Sequence, residues 1–308
     1  MTIRRSVAFA QGKGGVGKTS ITSNVGGLAA AAGYRVLIVD LDQQGNTARD
    51  LGFEPDPGTE LLKALAFDDA LPVRRGVRER LDVVPGGPDL GDVSRLFSGN
   101  ATRGDLADKL EEKLAPIAGD YDLILIDTPP GDRIIVEGAL GISSAVAIPT
   151  RMDEASIDGV SRIAERFIAV RERNPRLRLA GIILFAIASR TTRLERDVRD
   201  ALQQILGDAA PVFETRIRHL DSAAADSRRR GLLVHELEAA AVDDKAARLK
   251  VLQLARGIPG EAERREMVAK QTAGGLYSTN SAGLAEDYEA LTRELLVRIQ
   301  ELEAGEAA

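Results

Sequence analysis

The chain contains no cysteine and no tryptophan. Without cysteine, disulfides, thiolate metal sites and iron–sulfur ligation are all excluded. Two histidines, His219 and His235, are too few for a histidine metal cluster. Aromatic residues make up 4 % of the chain, and none falls among the arginines of residues 216–230. That argues against a platform for stacking single-stranded bases. No apolar run approaches the length of a membrane-spanning helix. The few apolar residues after Arg4-Arg5 are too short for a signal-peptide core, so a cytoplasmic location is expected. Nor is the chain globally basic, with 41 Lys and Arg against 47 Asp and Glu and a net charge of −6. Any nucleic-acid contact must therefore come from a local patch.

With 308 residues and 44 % hydrophobic content, the chain can build one large α/β domain. It is organised around residues 11–20, Gln-Gly-Lys-Gly-Gly-Val-Gly-Lys-Thr-Ser. These fit the phosphate-loop spacing G-x-x-x-x-G-K-[ST], opened by Gly12 and closed by Gly17-Lys18-Thr19. An apolar run at 7–10 precedes the loop as a strand, and 21–32 follows as a helix stopped at Gly33. Gly12, Gly14, Gly15 and Gly17, with Val16, let successive backbone N–H groups turn inward around a phosphate. The helix start at Lys18, Thr19 and Ser20 adds its partial positive charge. Lys18 then suits the β- and γ-phosphates, and the Thr19 hydroxyl suits Mg²⁺. A second lysine, Lys13, sits on the crest of the loop between glycines, where it can extend away from its own fold.

The rest of the chain alternates. Residues 34–40 and 121–127 read as fully buried strands, with shorter strands at 81–85, 145–149, 179–188 and 211–214. Helical patterns occupy about 61–67, 104–117, 156–173 and 194–206. This order predicts a doubly wound, mainly parallel sheet flanked by helices. Ligands bind at the carboxyl ends of such strands, where the loop, Asp40, Asp42 and Asp127 all fall. Asp127 closes the run Leu-Ile-Leu-Ile at 123–126, as a strand delivering a carboxylate toward a metal would. Asp40 and Asp42, two apart on an extended segment, point the same way.

Three segments carry a resemblance. Residues 13–19, Lys-Gly-Gly-Val-Gly-Lys-Thr, resemble the deviant Walker A motif of the ParA/MinD group of P-loop ATPases, nearest the ParA/Soj-type partition members. Residues 40–46, Asp-Leu-Asp-Gln-Gln-Gly-Asn, resemble its switch I, and 127–131, Asp-Thr-Pro-Pro-Gly, its switch II. The resemblance implies a P-loop fold, ATP and Mg²⁺ as ligands, and a dimer that forms on ATP. By it Lys13 reaches the partner subunit's phosphates, Lys18 binds its own, Asp42 positions the attacking water, and Thr19, Asp40 and Asp127 lie at the metal. Gln43 stands where the family usually has proline, which would fix φ; this switch is expected to be more mobile and hydrolysis slower. The absence of cysteine excludes the nitrogenase-iron-protein branch.

In the C-terminal third, the segment from Thr215 to Gly231 resembles the region of nonspecific DNA contacts in ParA-type members, placing Arg216, Arg218, Arg228, Arg229 and Arg230 on duplex phosphates. A solvated basic face is the alternative for these arginines. Residues 243–284 exceed the family's length and read as a helical insertion with a surface loop at 274–281. A terminal amphipathic helix, within 285–303, is rich in glutamate and lacks the basic pattern of a membrane-surface helix. The expected organisation is a single P-loop ATPase domain over 1–308. The implied activity is ATP hydrolysis, weak until stimulated, in plasmid or chromosome partition. Its partners would be nonspecific DNA and a ParB-type adaptor, with no membrane, and the protein would sit on the nucleoid when ATP-bound. The alternatives are a MinD-like or cargo-positioning ATPase that does not act on DNA, and a small-molecule ligase or kinase of the dethiobiotin-synthetase type.

Overall fold

The computed structural model describes residues 2–67, 69–98, 105–188, 192–206, 211–255, 258, 260–272, 276 and 281–307. Among these, eight strands form one sheet in the order β3-β4-β2-β5-β1-β6-β7-β8. The strands are β1 (Ile3–Phe9), β2 (Val36–Asp40), β3 (Arg74–Arg78), β4 (Leu81–Val84), β5 (Leu123–Asp127), β6 (Ser143–Thr150), β7 (Arg178–Ile187) and β8 (Val212–Arg218). Every neighbouring pair is parallel except β3 with β4.

Period-2 side-chain alternation divides the core into two layers. Ala8, Leu37, Val39, Ile124, Ile126, Val146 and Ile148 pack on one face, against Leu106, Leu110 and Leu114 of α5 (Leu106–Ala118) and Val136 and Leu140 of α6 (Arg133–Ile142). Val7, Phe9, Val36, Ile38, Leu123 and Leu125 pack on the other. They meet Ile21 and Val25 of α1 (Lys18–Ala31) and Leu291, Leu295 and Ile299 of α12 (Ala282–Ala307). The all-apolar β2 and β5 follow from this, since both of their faces are covered.

The remaining helices among the described residues are α2 (Asn46–Leu51), α3 (Thr59–Ala66), α4 (Val93–Phe97), α7 (Glu154–Arg171), α8 (Thr192–Leu206), α9 (Asp221–Arg230), α10 (Val234–Ala255) and α11 (Glu261–Thr272), with a 3₁₀ turn at Pro88–Asp92. The sequence reading placed neither β3 nor α2, α4, α6 and α9, the last read only as a basic segment. Strand β3 has the sequence Arg-Arg-Gly-Val-Arg and no apolar alternation, because it is an edge strand. Helices α2 and α4 are short, and α6 follows the switch II turn directly. Strand β8 runs four residues beyond the expected end at 214, so Arg216 and Arg218 lie on it. The expected insertion begins inside α10, and the terminal helix is longer than expected at both ends. The expected loop at 274–281 falls largely outside the described residues, as does the expected helix boundary at 104.

The exposed edge of β8 is managed by α12. Glu294 accepts the N–H groups of Glu214 and Thr215 at 2.8 and 2.9 Å, and Asp287 accepts that of Arg218 at 2.9 Å. Carboxylates thus occupy donors that another chain could otherwise pair with. Among the described residues no helix is long and apolar enough to cross a membrane.

Candidate active site

Strand β1 lies at the middle of the sheet, between β5 and β6, so the chain leaving it enters the crevice where the winding reverses. Buried Gln11 anchors the start of the loop. Its Nε2 donates to the carbonyls of Pro149 and Ser156 at 3.3 and 3.2 Å, and its Oε1 accepts the Gly12 N–H at 2.8 Å. Gly17 ends the loop with φ 90°, and a Cβ there would stand 2.4 Å from the Phe185 ring. Only glycine satisfies both the left-handed turn and that contact.

The turn aims Lys18 and Thr19 inward. Lys18 is 5 % exposed, and its ammonium donates to the carbonyls of Gln11 and Lys13 at 3.2 and 3.3 Å. Burial lowers its pKa from the ordinary lysine value, against the opposing pull of the Asp127 and Asp42 carboxylates. The Thr19 hydroxyl donates to Asp127 Oδ2 at 2.5 Å. Burial, followed by the charge of Asp40, pushes the Asp127 carboxyl well above its usual range.

Asp40 is fully buried. It accepts the Asp42 N–H at 2.9 Å and the hydroxyl and N–H of Thr47 at 2.6 and 3.3 Å. Desolvation raises its pKa to about 7, although the Thr47 hydrogen bond works against the rise. Asp42 is 5 % exposed and accepts the Gln44 N–H at 2.9 Å. Its pKa too is raised, by burial, with the Gln44 hydrogen bond and Lys18 opposing. The sequence-predicted residues Lys18, Thr19, Asp40, Asp42 and Asp127 therefore converge on one site.

The donor set fits Mg²⁺. Asp127 Oδ1 is buried with no hydrogen-bond partner, and it lies on the carboxylate whose other oxygen takes the Thr19 hydroxyl. One hydroxyl and one carboxylate are hard oxygen ligands of the kind that hold Mg²⁺ together with substrate phosphates.

Lys13 behaves differently from Lys18. It turns back onto its own chain, where its ammonium lies 2.5 Å from Asp153 Oδ1. The Asp153 carboxylate also accepts the Ser156 N–H at 3.0 Å and so caps α7. The Lys13 hydrogen bond, followed by those from Ser156, holds the Asp153 carboxyl below its ordinary value despite partial burial. Sequence reasoning missed Asp153, although Asp-Glu-Ala-Ser at 153–156 is a readable cap pattern. It also missed Thr47, which only the fold brings to Asp40.

The arginines singled out in the sequence lie along β8 and α9, and each of four faces a carboxylate. Arg216 pairs with Glu195, Arg218 with Asp287, and Arg229 with Asp226, while Arg228 Nε stands 4.0 Å from Asp50 Oδ1. Arg230 occupies the last turn of the same helix. Between this region and the loop lies a cleft of about 240 Å³, lined by Ser20 and Asn24 of α1, Phe185 and Ala186 of β7, and His219 and Leu220 after β8.

A glycine loop laid from a central parallel strand onto a helix N-terminus, facing a buried strand-end aspartate, defines a P-loop ATPase. Comparison with known proteins narrows the class. Residues 4–179 match the family model of an AAA domain. The chain is 31 % identical over 242 residues to the chromosome partitioning protein ParA of Caulobacter vibrioides, covering 77 % of this chain and 89 % of that one. The chain belongs to the ParA family of P-loop ATPases. Among solved structures, cobyrinic acid a,c-diamide synthase from Mycobacterium smegmatis with a bound ATP analogue and magnesium superposes with a TM-score of 0.61. It is 28 % identical and covers 71 % of this chain and 86 % of that one. Apo McdA from Cyanothece shares the fold with a TM-score of 0.67 at 20 % identity, covering 87 % and 99 %. Nucleotide and Mg²⁺ binding accordingly belong to this fold.

Proposed function

We propose that the protein is a partition ATPase that dimerises on ATP, binds duplex DNA without regard to sequence, and hydrolyses ATP under stimulation by a ParB-type adaptor. The observation that carries this reading is the different placement of the two loop lysines. Lys18 is buried in its own loop, whereas Lys13 stands at the rim in an exposed pair. A lysine so placed can leave its cis partner for the phosphates of a second subunit and offset the repulsion between two triphosphates brought face to face.

Residues 12–20 cradle the triphosphate and Lys18 contacts its β- and γ-oxygens. Thr19 and Asp127 would hold Mg²⁺, which would supply positive charge beside the phosphates, and Asp40 organises the neighbouring backbone. Asp42 orients the water. The cleft beside α1 receives the nucleoside. For DNA, Arg216, Arg218 and the run Arg228, Arg229 and Arg230 supply cations on one side of the molecule. The Arg216, Arg218 and Arg228 side chains are 41, 48 and 63 % exposed, so duplex phosphates can reach them, in competition with the more buried carboxylates of Glu195, Asp287 and Asp50. Dimerisation doubles the patch. Localisation on the nucleoid in the ATP state follows from it.

Fluorescence anisotropy with random-sequence duplexes tests the reading. Binding should require ATP, fall steeply with salt and ignore sequence. The triple substitution Arg228→Ala, Arg229→Ala, Arg230→Ala should lose it while keeping ATP turnover. Unchanged DNA affinity in that variant would refute the arginine assignment. The synthase neighbour favours one second reading, a small-molecule ligase; ATP turnover that depends on a carboxylic acid substrate and not on DNA would establish it instead.

A further inference from the structure

The strand that sequence patterning missed carries a side chain whose hydrogen-bonding capacity is filled. Arg78, the last residue of β3, has a guanidinium with five N–H donors, and all five are used. Nε donates to Glu236 Oε1 at 2.6 Å and Nη2 to Glu236 Oε2 at 3.0 Å. Nη2 also donates to the Gly231 carbonyl at 2.9 Å, and Nη1 to the carbonyls of Leu51 and Val77, each at 2.9 Å. Leu51 is the last residue of α2, Gly231 is the C-cap of α9, and Glu236 lies in the first turn of α10. One planar cation thus neutralises the carbonyl ends of two helices and holds the start of a third.

The backbone beneath it is in direct contact. Gly52 and Gly231, the two C-caps, have φ of 68° and 61°. A Cβ on Gly231 would lie 2.1 Å from Gly52 Cα. Further along the same seam, Asp50 of α2 faces Arg228 of α9 and lines one cleft with Ser20, at the end of the phosphate loop. Burial alone would raise the Glu236 carboxyl, but the hydrogen bonds from Arg78 and the Leu233 N–H hold it below its ordinary value. The other end of α2 is the active site: Thr47, in its first turn, donates to Asp40, which in turn holds the Asp42 N–H.

We propose that Arg78 is a positioning residue for hydrolysis. By fastening α2 to α9 and α10 it fixes Thr47, and through Thr47 the Asp40–Asp42 segment, in register with the phosphate loop. The same clamp makes α2 and the arginine-bearing α9 one body. This role rests on Asp42 being the residue that orients the water. Lysine cannot replace arginine here, because one ammonium can keep the Glu236 pair but cannot span both carbonyls.

The test is steady-state ATP turnover by Arg78→Lys in the full chain, with Asp42→Ala measured alongside. A displacement of about 1 Å costs on the order of 100-fold in rate. A shift of part of that, with the phosphate loop untouched, should lower kcat about tenfold and leave KM for ATP unchanged. Guanidinium ion added to Arg78→Ala should restore part of the rate. Wild-type kcat in Arg78→Lys beside an inactive Asp42→Ala refutes the positioning role alone. Full turnover by Asp42→Ala refutes the water assignment, and with it the role that depends on it. Should the Arg78 variants not fold, hydrogen exchange on the wild-type chain decides. The α2 and α9 amides should open with one free energy and be slowed together by ATP; independent protection of the two helices would overturn the proposal.

Discussion

Replacing Asp153 by asparagine should tighten the ATP-dependent dimer. In the single chain Lys13 and Asp153 lie 2.5 Å apart with side chains 37 and 44 % exposed, so the pair belongs among surface ion pairs worth about 0.2–1 kcal/mol. If Lys13 must leave Asp153 to reach a second subunit, each chain gives up that amount on dimerisation. Two chains give up about 0.4–2 kcal/mol, or roughly 2- to 30-fold in the association constant. Asparagine removes the charge but remains a good helix N-cap, so α7 and the loop it supports should stay in place. The Asp153 carboxyl is held below its ordinary value, so the wild-type pair is intact at neutral pH and the difference between the two proteins should close as the solution is taken into acid. Sedimentation velocity with ATP across a concentration series measures the constant directly. An Asp153→Asn dimer no tighter than wild type would refute the idea that Lys13 exchanges a cis partner for one in trans.

Two further outcomes follow from the same geometry. Lys18→Ala removes a charge-assisted phosphate contact, worth up to about 3 kcal/mol, and should weaken ATP binding on the order of 100-fold in a calorimetric titration while the chain stays folded. Asp122 is held at about 2 by side-chain and backbone hydrogen bonds from Arg35. A depressed carboxylate stabilises the fold above its unfolded value near ~4 and loses that contribution as pH falls through about 2. Asp122→Asn should therefore melt below wild type at pH 7 and level with it at pH 2 in thermal scans. An equal gap at both pH values would assign the loss to packing.

The sequence exposed those parts of the molecule whose local chemistry is self-sufficient. The loop 12–20 is legible because phosphate binding needs glycine and lysine at fixed spacing. Strands β2 and β5 are legible because burial on both faces leaves an unbroken apolar run ending in aspartate. Strand β3 is not, since an edge strand with arginines at 74, 75 and 78 has no pattern of its own and exists only because β4 accepts it in antiparallel register. Residues 234–242 of α10 escaped for another reason: the alanines at 239–241 and Val242, the last 68 % exposed, stand in place of a clean polar stripe. Partners far apart in the chain were hidden altogether. Nothing local to Lys13 announces Asp153, and nothing in Arg78 announces Leu51, Gly231 and Glu236. The arginines at 216–230 were visible as charge, but three of the carboxylates facing them were not, because Asp50, Glu195 and Asp287 come from α2, α8 and α12.

The central claim is that Asp42 orients the hydrolytic water in a site whose phosphate contacts do not depend on it. Phosphate release and sedimentation, measured on one preparation of Asp42→Ala with ATP and Mg²⁺, test it most directly. Nucleotide should bind with wild-type affinity, the dimer should persist for the length of the run, and almost no phosphate should be released. Turnover at the wild-type rate would contradict it and move the water to another group, with Asp40 the next carboxylate in the site.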